Sequence, residues 1–221
     1  YFNNLMLGSF DRVEVLKGAQ SSLYGSGALA GTIQLFSKKG QEGHNQNINI
    51  STGSFNSKKI DLSLDGKNND HDYFIGFTNF STDGESAMRD NTEEDGYRSD
   101  SLTMNYGYNL NKNFRFENYL YYNDSLLEYD SVTKSQNDLE ASDDQQAIYT
   151  GRLINTNGNF KNTISYNNTY ILRNTTGNDK KNYYGYRDAI NFLSEYNFSL
   201  DNKIIFGLDN EFDKAELYNY Y

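Results

Sequence analysis

The chain has 221 residues, a formal net charge of −10, 36% apolar residues, 20 Tyr, 14 Phe and no Pro, Cys or Trp. The missing Cys exclude disulfides, thiolate metal sites and Cys nucleophiles, and the acidic balance excludes nucleic acid as a partner, because phosphate binding needs clustered Lys and Arg. No run of about 18 apolar residues occurs, so a transmembrane helix is excluded and any membrane crossing has to be made by closed strands.

Aliphatic residues are too few for a water-soluble core of ordinary size, yet aromatic residues, at 15%, are too many for a disordered chain. A lipid-facing β surface reconciles the two, since in a transmembrane barrel only every second residue meets hydrocarbon and the rest line a polar lumen. The chain starts at Tyr1 with neither an initiator Met nor a basic leader, which is read as a truncated start.

In chain order, residues 1–43 carry short apolar residues and closely spaced glycines. They fall in Asp11-Arg12-Val13-Glu14-Val15-Leu16-Lys17-Gly18 and in the stretch from Ser22 to Phe36. Gly18, Gly25, Gly27 and Gly31 are positions for positive φ or close backbone contact. The spacing Gly-x-Gly-x-x-x-Gly, with no βαβ unit after it, argues against a phosphate-cradling loop.

From residue 44 onward the chain becomes a series of segments of about ten residues with period-two alternation, separated by Asn, Asp, Gly and Ser. Ile60, Leu62 and Leu64 oppose Asp61, Ser63 and Asp65. Leu102, Met104, Tyr106, Tyr108 and Leu110 share one face, with Ser101, Thr103, Asn105, Gly107 and Asn109 on the other. Arg115 and Glu117 fall in the lumen phase between Phe114, Phe116 and Leu120, which matters because a cation on the lipid face costs roughly 2 to 4 kcal/mol at the midplane. Around residues 147 to 155 the phase is ambiguous, since Ile148 and Ile154 lie in step with Arg152 while Tyr149 and Leu153 take the other phase. Further on, Phe160, Ile164, Tyr166, Tyr170 and Leu172 oppose Lys161, Thr163, Ser165, Asn167 and Thr169, and Ile204, Phe206 and Leu208 oppose Gly207, Asp209 and Glu211.

The connections alternate in expected length. Tight turns at Asn111-Lys112-Asn113, Asn155 to Gly158 and Asp201-Asn202-Lys203 are interleaved with long ones expected from Asp124 to Gln146 and from Arg173 to Tyr183. Short periplasmic turns and long outer loops are the habit of bacterial outer-membrane barrels, whereas a soluble sandwich has no reason to lengthen every second loop. His44 and His71 are placed near the periplasmic end without a Ser and carboxylate partner, so no hydrolase constellation is expected, and no catalytic residue is assigned.

Asp11 to Gly18, then Ser21-Ser22-Leu23-Tyr24-Gly25, Ala28, Gly31 and Ile33, closing on Ser37-Lys38-Lys39-Gly40, resemble the end of the plug in TonB-dependent outer-membrane receptors. Arg12, Glu14, Gly18, Tyr24, Gly25 and Gly31 carry the likeness, which implies a strand, a glycine-rich turn region and a second strand leading into the barrel. Ala19 stands where the family has Pro, and Thr32-Ile33-Gln34-Leu35-Phe36 is less aliphatic than the family's final strand. The resemblance implies an all-β protein: residues 1–43 as the C-terminal part of a plug domain, and 44–221 as the first nine or so strands of a large antiparallel transmembrane β-barrel. It implies residence in the outer-membrane lipid and active import of a scarce small molecule from outside the cell. TonB is the implied energy-coupling partner, acting through an amino-terminal segment missing here.

Asp95-Gly96-Tyr97-Arg98 and the acidic outer loops further resemble the cobalamin-transporter branch, implying a corrinoid ligand and calcium as the single cofactor. Asp83, Asp90, Asp95, Asp124 and Asp130 are the candidate ligands, beside Glu85, Glu93, Glu94, Asp138, Asp143 and Asp144, since calcium prefers hard carboxylate oxygens. The alternatives are a siderophore or glycan receptor of the same family and, in a different class, a passive porin or adhesin barrel, from which the plug motif discriminates.

Overall fold

The computed structural model describes residues 5–6, 8, 10–19, 21, 28–86, 94–130, 139–176, 180–199 and 201–219. Two short strands come first, β1 (Phe10–Lys17) and β2 (Gly31–Ser37). Nine longer ones follow: β3 (Gly43–Thr52), β4 (Lys58–Lys67), β5 (His71–Thr82), β6 (Tyr97–Asn109), β7 (Phe114–Asp130), β8 (Leu139–Asn157), β9 (Phe160–Thr175), β10 (Lys181–Asn197) and β11 (Lys203–Asn219). β1 and β2 pair antiparallel as a separate two-stranded sheet. β3 to β11 form one antiparallel sheet in sequential order, with β3 and β11 at its two open edges.

Alternation explains both the strands and their facing. On β6 the odd residues Ser99, Ser101 and Thr103 are almost fully buried, while Met104 and Tyr106 are each 39% exposed. The register carries this across neighbours, setting Phe77 opposite Leu102 and Leu102 opposite Tyr122 on one face, and Thr103 opposite Tyr121 on the other. The usual distribution is therefore inverted. Among the described residues the buried apolar side chains are only Ala28, Phe74, Tyr121 and Ala189, whereas Ile60, Leu62, Leu64, Ile164, Phe206 and Leu208 stand exposed on the outer face. Such a sheet gains little from a dry core and needs hydrocarbon against its outer face, as a barrel wall does.

The ambiguous segment resolves along β8. Arg152 lies opposite Glu117 and Leu153 opposite Phe116. Ile148 and Ile154 therefore share the inner face with Arg152, while Tyr149 and Leu153 point outward.

The connections at one end are short, residues 68–70, 110–113, 158–159 and 198–202; those at the other are 53–57, 83–96, 131–138 and 176–180. Asn68 and Asn111 pin two of the short turns, each side-chain oxygen accepting two following backbone N–H groups. The outer connections differ from expectation. The stretch from Asp124 to Gln146 is mostly strand, since β7 runs to Asp130 and β8 starts at Leu139, and the stretch from Arg173 to Tyr183 shortens to 176–180. Beyond the bilayer both faces of a strand meet water, so the apolar alternation fades while the backbone ladder continues.

Candidate functional site at the inner wall

The β1–β2 hairpin lies on the inner face of the sheet, and its own geometry depends on two glycines. Gly18 (φ +94°) closes the end of β1, its N–H donating to Ala30 O at 3.0 Å. Gly31 (φ +151°) opens β2, and a Cβ there would be driven into the Leu16 carbonyl oxygen. Arg12 Nε donates to Glu14 Oε1 at 2.6 Å, and its guanidinium lies 3.7 Å above the centre of the Phe36 ring. Tyr24 and Gly25 lie outside the described residues.

The hairpin is held to the wall chiefly by polar groups. Asn105 on β6 donates to Ser37 Oγ at 2.9 Å and to Lys38 O at 3.0 Å. Met6 N–H donates to the Tyr121 hydroxyl at 3.2 Å, and Phe10 adds an apolar contact, its ring centre 6.4 Å from that of Tyr121. Lys39, just past β2, donates to Glu117 Oε1 at 2.9 Å, and the same oxygen accepts from Arg115 Nε at 3.0 Å. Arg115 in turn pairs with Asp72 on β5. Alternating charge thus runs from the β2–β3 connection through β7 to β5. A cavity of about 1080 Å³ opens beside it, lined among others by Arg12, Gln34, Lys39, Glu117, Gln146 and Arg152.

Higher on the inner face, Arg173 clamps Asp144 with two hydrogen bonds of 2.8 and 2.6 Å, and Ser142 Oγ donates to the same carboxylate at 2.7 Å. A polar ladder crosses four strands. Thr150 donates to Asn167 at 2.9 Å, Asn167 to Asn191 at 2.6 Å, and Asn191 to Asp209 at 2.7 Å.

The acidic candidates do not converge. Asp83 and Asp95 sit in the β5–β6 connection, Asp124 points outward from β7 and accepts from Gln145 Nε2 at 3.0 Å, and Asp130 ends β7 with Ser86 Oγ 3.5 Å away. Asp90 lies outside the described residues, among which no group of three or more His, Asp or Glu side chains is arranged to hold a metal ion. Both histidines meet phenols at the short-turn end: His44 Nδ1 is 2.8 Å from the Tyr73 hydroxyl, and His71 Nδ1 is 2.6 Å from that of Tyr106. Of the residues that fix the hairpin to the wall, Lys39 lies in the Ser37-to-Gly40 end of the plug likeness, while Asn105, Glu117 and Tyr121 carry no motif in the sequence. Lys39 and Glu117 are 78 positions apart, and only the lumen phase of Glu117 marked it as an inner residue.

A wall polar inside and apolar outside, with a glycine-closed hairpin seated on its inner face, defines an outer-membrane β-barrel segment with part of an internal plug. Residues 1–32 match the model of the TonB-dependent Receptor Plug Domain. The chain is 29% identical over 148 residues to the vitamin B12 transporter BtuB of Vibrio vulnificus, covering 61% of this chain and 22% of that one. It is 32% identical over 90 residues to the metal-pseudopaline receptor CntO of Pseudomonas aeruginosa, covering 41% and 13%. Its fold is that of the pyoverdine outer membrane receptor FpvA from Pseudomonas aeruginosa, at a TM-score of 0.79 and 14% identity over 97% of this chain and 37% of that one. The chain thus resembles TonB-dependent outer-membrane receptors, through the plug model over residues 1–32 and through its fold, and it spans about a fifth of the B12 transporter's length.

Proposed function

We propose that the receptor carrying this segment imports a small molecule across the outer membrane, with TonB supplying the energy and the plug moving to open the path. The observation that carries the reading is the polar seat of the hairpin. Lys39, Asn105, Ser37 and Glu117 exchange hydrogen bonds that water can replace, so the hairpin can leave the wall without exposing a large apolar surface. A permanent structural element would be packed the other way.

The first choice of cargo is a corrinoid, supported by the likeness to BtuB and by the Asp95-Gly96-Tyr97-Arg98 sequence beside the acidic outer connection. Calcium belongs to the same proposal, as the ion that would neutralise and order the connection carrying Asp83, Glu94 and Asp95. The likeness to CntO supports a metallophore as the second choice. Equilibrium binding of cobalamin to the full-length receptor, with calcium and then with chelator, tests both. Tight binding weakened by the chelator is expected. Binding indifferent to calcium discards the ion, and no binding in either condition discards the corrinoid in favour of a metal chelate.

A further inference from the structure

The outer face of the sheet carries a feature that transport does not use. Lys58, Ser81, Arg98 and Leu126 form one cross-strand row on β4 to β7, Ser81 pairing with both Lys58 and Arg98, and Arg98 with Leu126. All four share the outward phase, because Lys58 is in step with exposed Ile60, and Arg98 is exposed beside fully buried Ser99. Neither Lys58 nor Arg98 has an ion-pair partner among the described residues, although Lys39, Lys59, Arg115, Lys161, Arg173 and Arg187 in this acidic chain are all paired.

A recess of about 320 Å³ opens at this row, with Ser81, Arg98 and Leu126 at its base and Asp83, Glu94, Gly96 and Glu128 above. Its roof is fixed by a reciprocal bond. Glu128 N–H donates to Gly96 O at 2.9 Å, and Gly96 N–H donates to Glu128 Oε2 at 3.2 Å.

Height decides what the recess meets. On β5, β6 and β7 the apolar outer band tops out at the row of Phe77, Leu102 and Tyr122, four residues below Ser81, Arg98 and Leu126, while on β4 Ile60 carries it one row higher, two residues below Lys58. Four residues along a strand are about 13 Å; a tilt of about 40° leaves roughly 10 Å of height, where a bilayer's hydrocarbon gives way to headgroups. In the intervening row the carboxylates are already matched: Asn79 donates to Asp100 at 2.7 Å and Gln145 to Asp124 at 3.0 Å. The cations above them, Lys58 and Arg98, make no ion pair among the described residues, although Arg98 lies within electrostatic reach of the Asp143 carboxylate at the β8 end of the same row.

We propose that the recess at the outward ends of β5, β6 and β7 binds the phosphate of an outer-leaflet lipid headgroup. Arg98 forms the phosphate contact, Lys58 about 10 Å away, two strand spacings, supplies a second charge, and the Ser81 hydroxyl lies between. Asp83, Glu94 and Glu128 stand on the solvent side, so they face the cation that accompanies the phosphate, and a bare anion arriving from solution meets them first. β4 and β8 already flank the recess within the same sheet, so further barrel strands would leave it open. The site is independent of which cargo the receptor carries.

Native mass spectrometry of the full-length receptor in mild detergent with magnesium tests this, using bis-phosphorylated lipid A and its dephosphorylated form as probes. The wild type is expected to retain the phosphorylated form preferentially, and Arg98→Gln to lower that retention about tenfold, as loss of a charge-assisted contact does. Lys58→Gln is expected to lower it less, and Lys112→Gln, in a turn at the opposite end, to leave it unchanged. Equal retention by Arg98→Gln and wild type, or of the two lipid forms by the wild type, overturns the site. Displacement of the lipid by millimolar inorganic phosphate overturns the lipid as its occupant. Unchanged heat-modifiability of the variants separates a lost site from a lost fold.

Discussion

Gly18 and Gly31 both hold left-handed backbone, yet they differ in what surrounds them. At Gly18 nothing lies within 4 Å of an added Cβ, so Gly18→Ala is expected to cost only the conformational term, about 1 kcal/mol. At Gly31 the added methyl meets the Leu16 carbonyl as well, so Gly31→Ala is expected to cost more than about 2 kcal/mol and to loosen β1 from β2. Hydrogen exchange of the β1 and β2 amides in the full receptor separates the two, and equal loss of protection would contradict the steric account. At the wall, Asp72 and Glu117 are well covered and share Arg115 between them. Asp72→Asn leaves that guanidinium with one carboxylate, an expected loss of about 1 to 2 kcal/mol, discounted for partial solvent access, read as a lower midpoint of heat-modifiability. No change would mean that Glu117 and Asn109 suffice to hold Arg115.

At the scale of the strand, alternation makes a labelling test sharp. Met104→Cys is expected to react with a lipid-soluble maleimide, and Ile148→Cys with a water-soluble one. Thr103→Cys should react with neither until the hairpin is displaced, since Thr103 is fully buried on the inner face. Swapped reactivity of Met104 and Ile148 would shift the register of the wall. Most of the wall was legible in the sequence for the same reason, because Leu102 to Leu110 and Ile60 to Leu64 announce their faces residue by residue. β8 was not, since its inner face carries both Ile148 and Arg152, and an aliphatic side chain facing a plug looks like one facing lipid. The strand ends at Asp124–Asp130 and Leu139–Gln146 were hidden in another way: their ladder is backbone, and a sequence records side chains. The hairpin was visible through its glycines, but its attachment was not, because the Lys39–Glu117 contact joins residues that share no local pattern.

For the whole molecule the governing fact is the open sheet. β3 and β11 do not pair with each other, and both present unpaired backbone along their length. The 221-residue chain expressed alone is therefore expected to aggregate or to run as an unfolded band in detergent electrophoresis at room temperature and after boiling alike. A compact band that shifts on heating would show that the edges close on each other, contrary to the pairing seen here.

The strictly sequential strand order also has a kinetic meaning. Every one of the eight pairings from β3 to β11 joins chain neighbours, the longest connection being residues 83–96, so each strand can zip onto the last with modest loop-closure entropy. Asn68 and Asn111, which tie their turns locally, give those hairpins a start before any distant contact exists. A wall built this way meets no topological search as it grows. The slow event is deferred to whatever finally joins the two ends, and until then each added strand moves the reactive edge along without removing it.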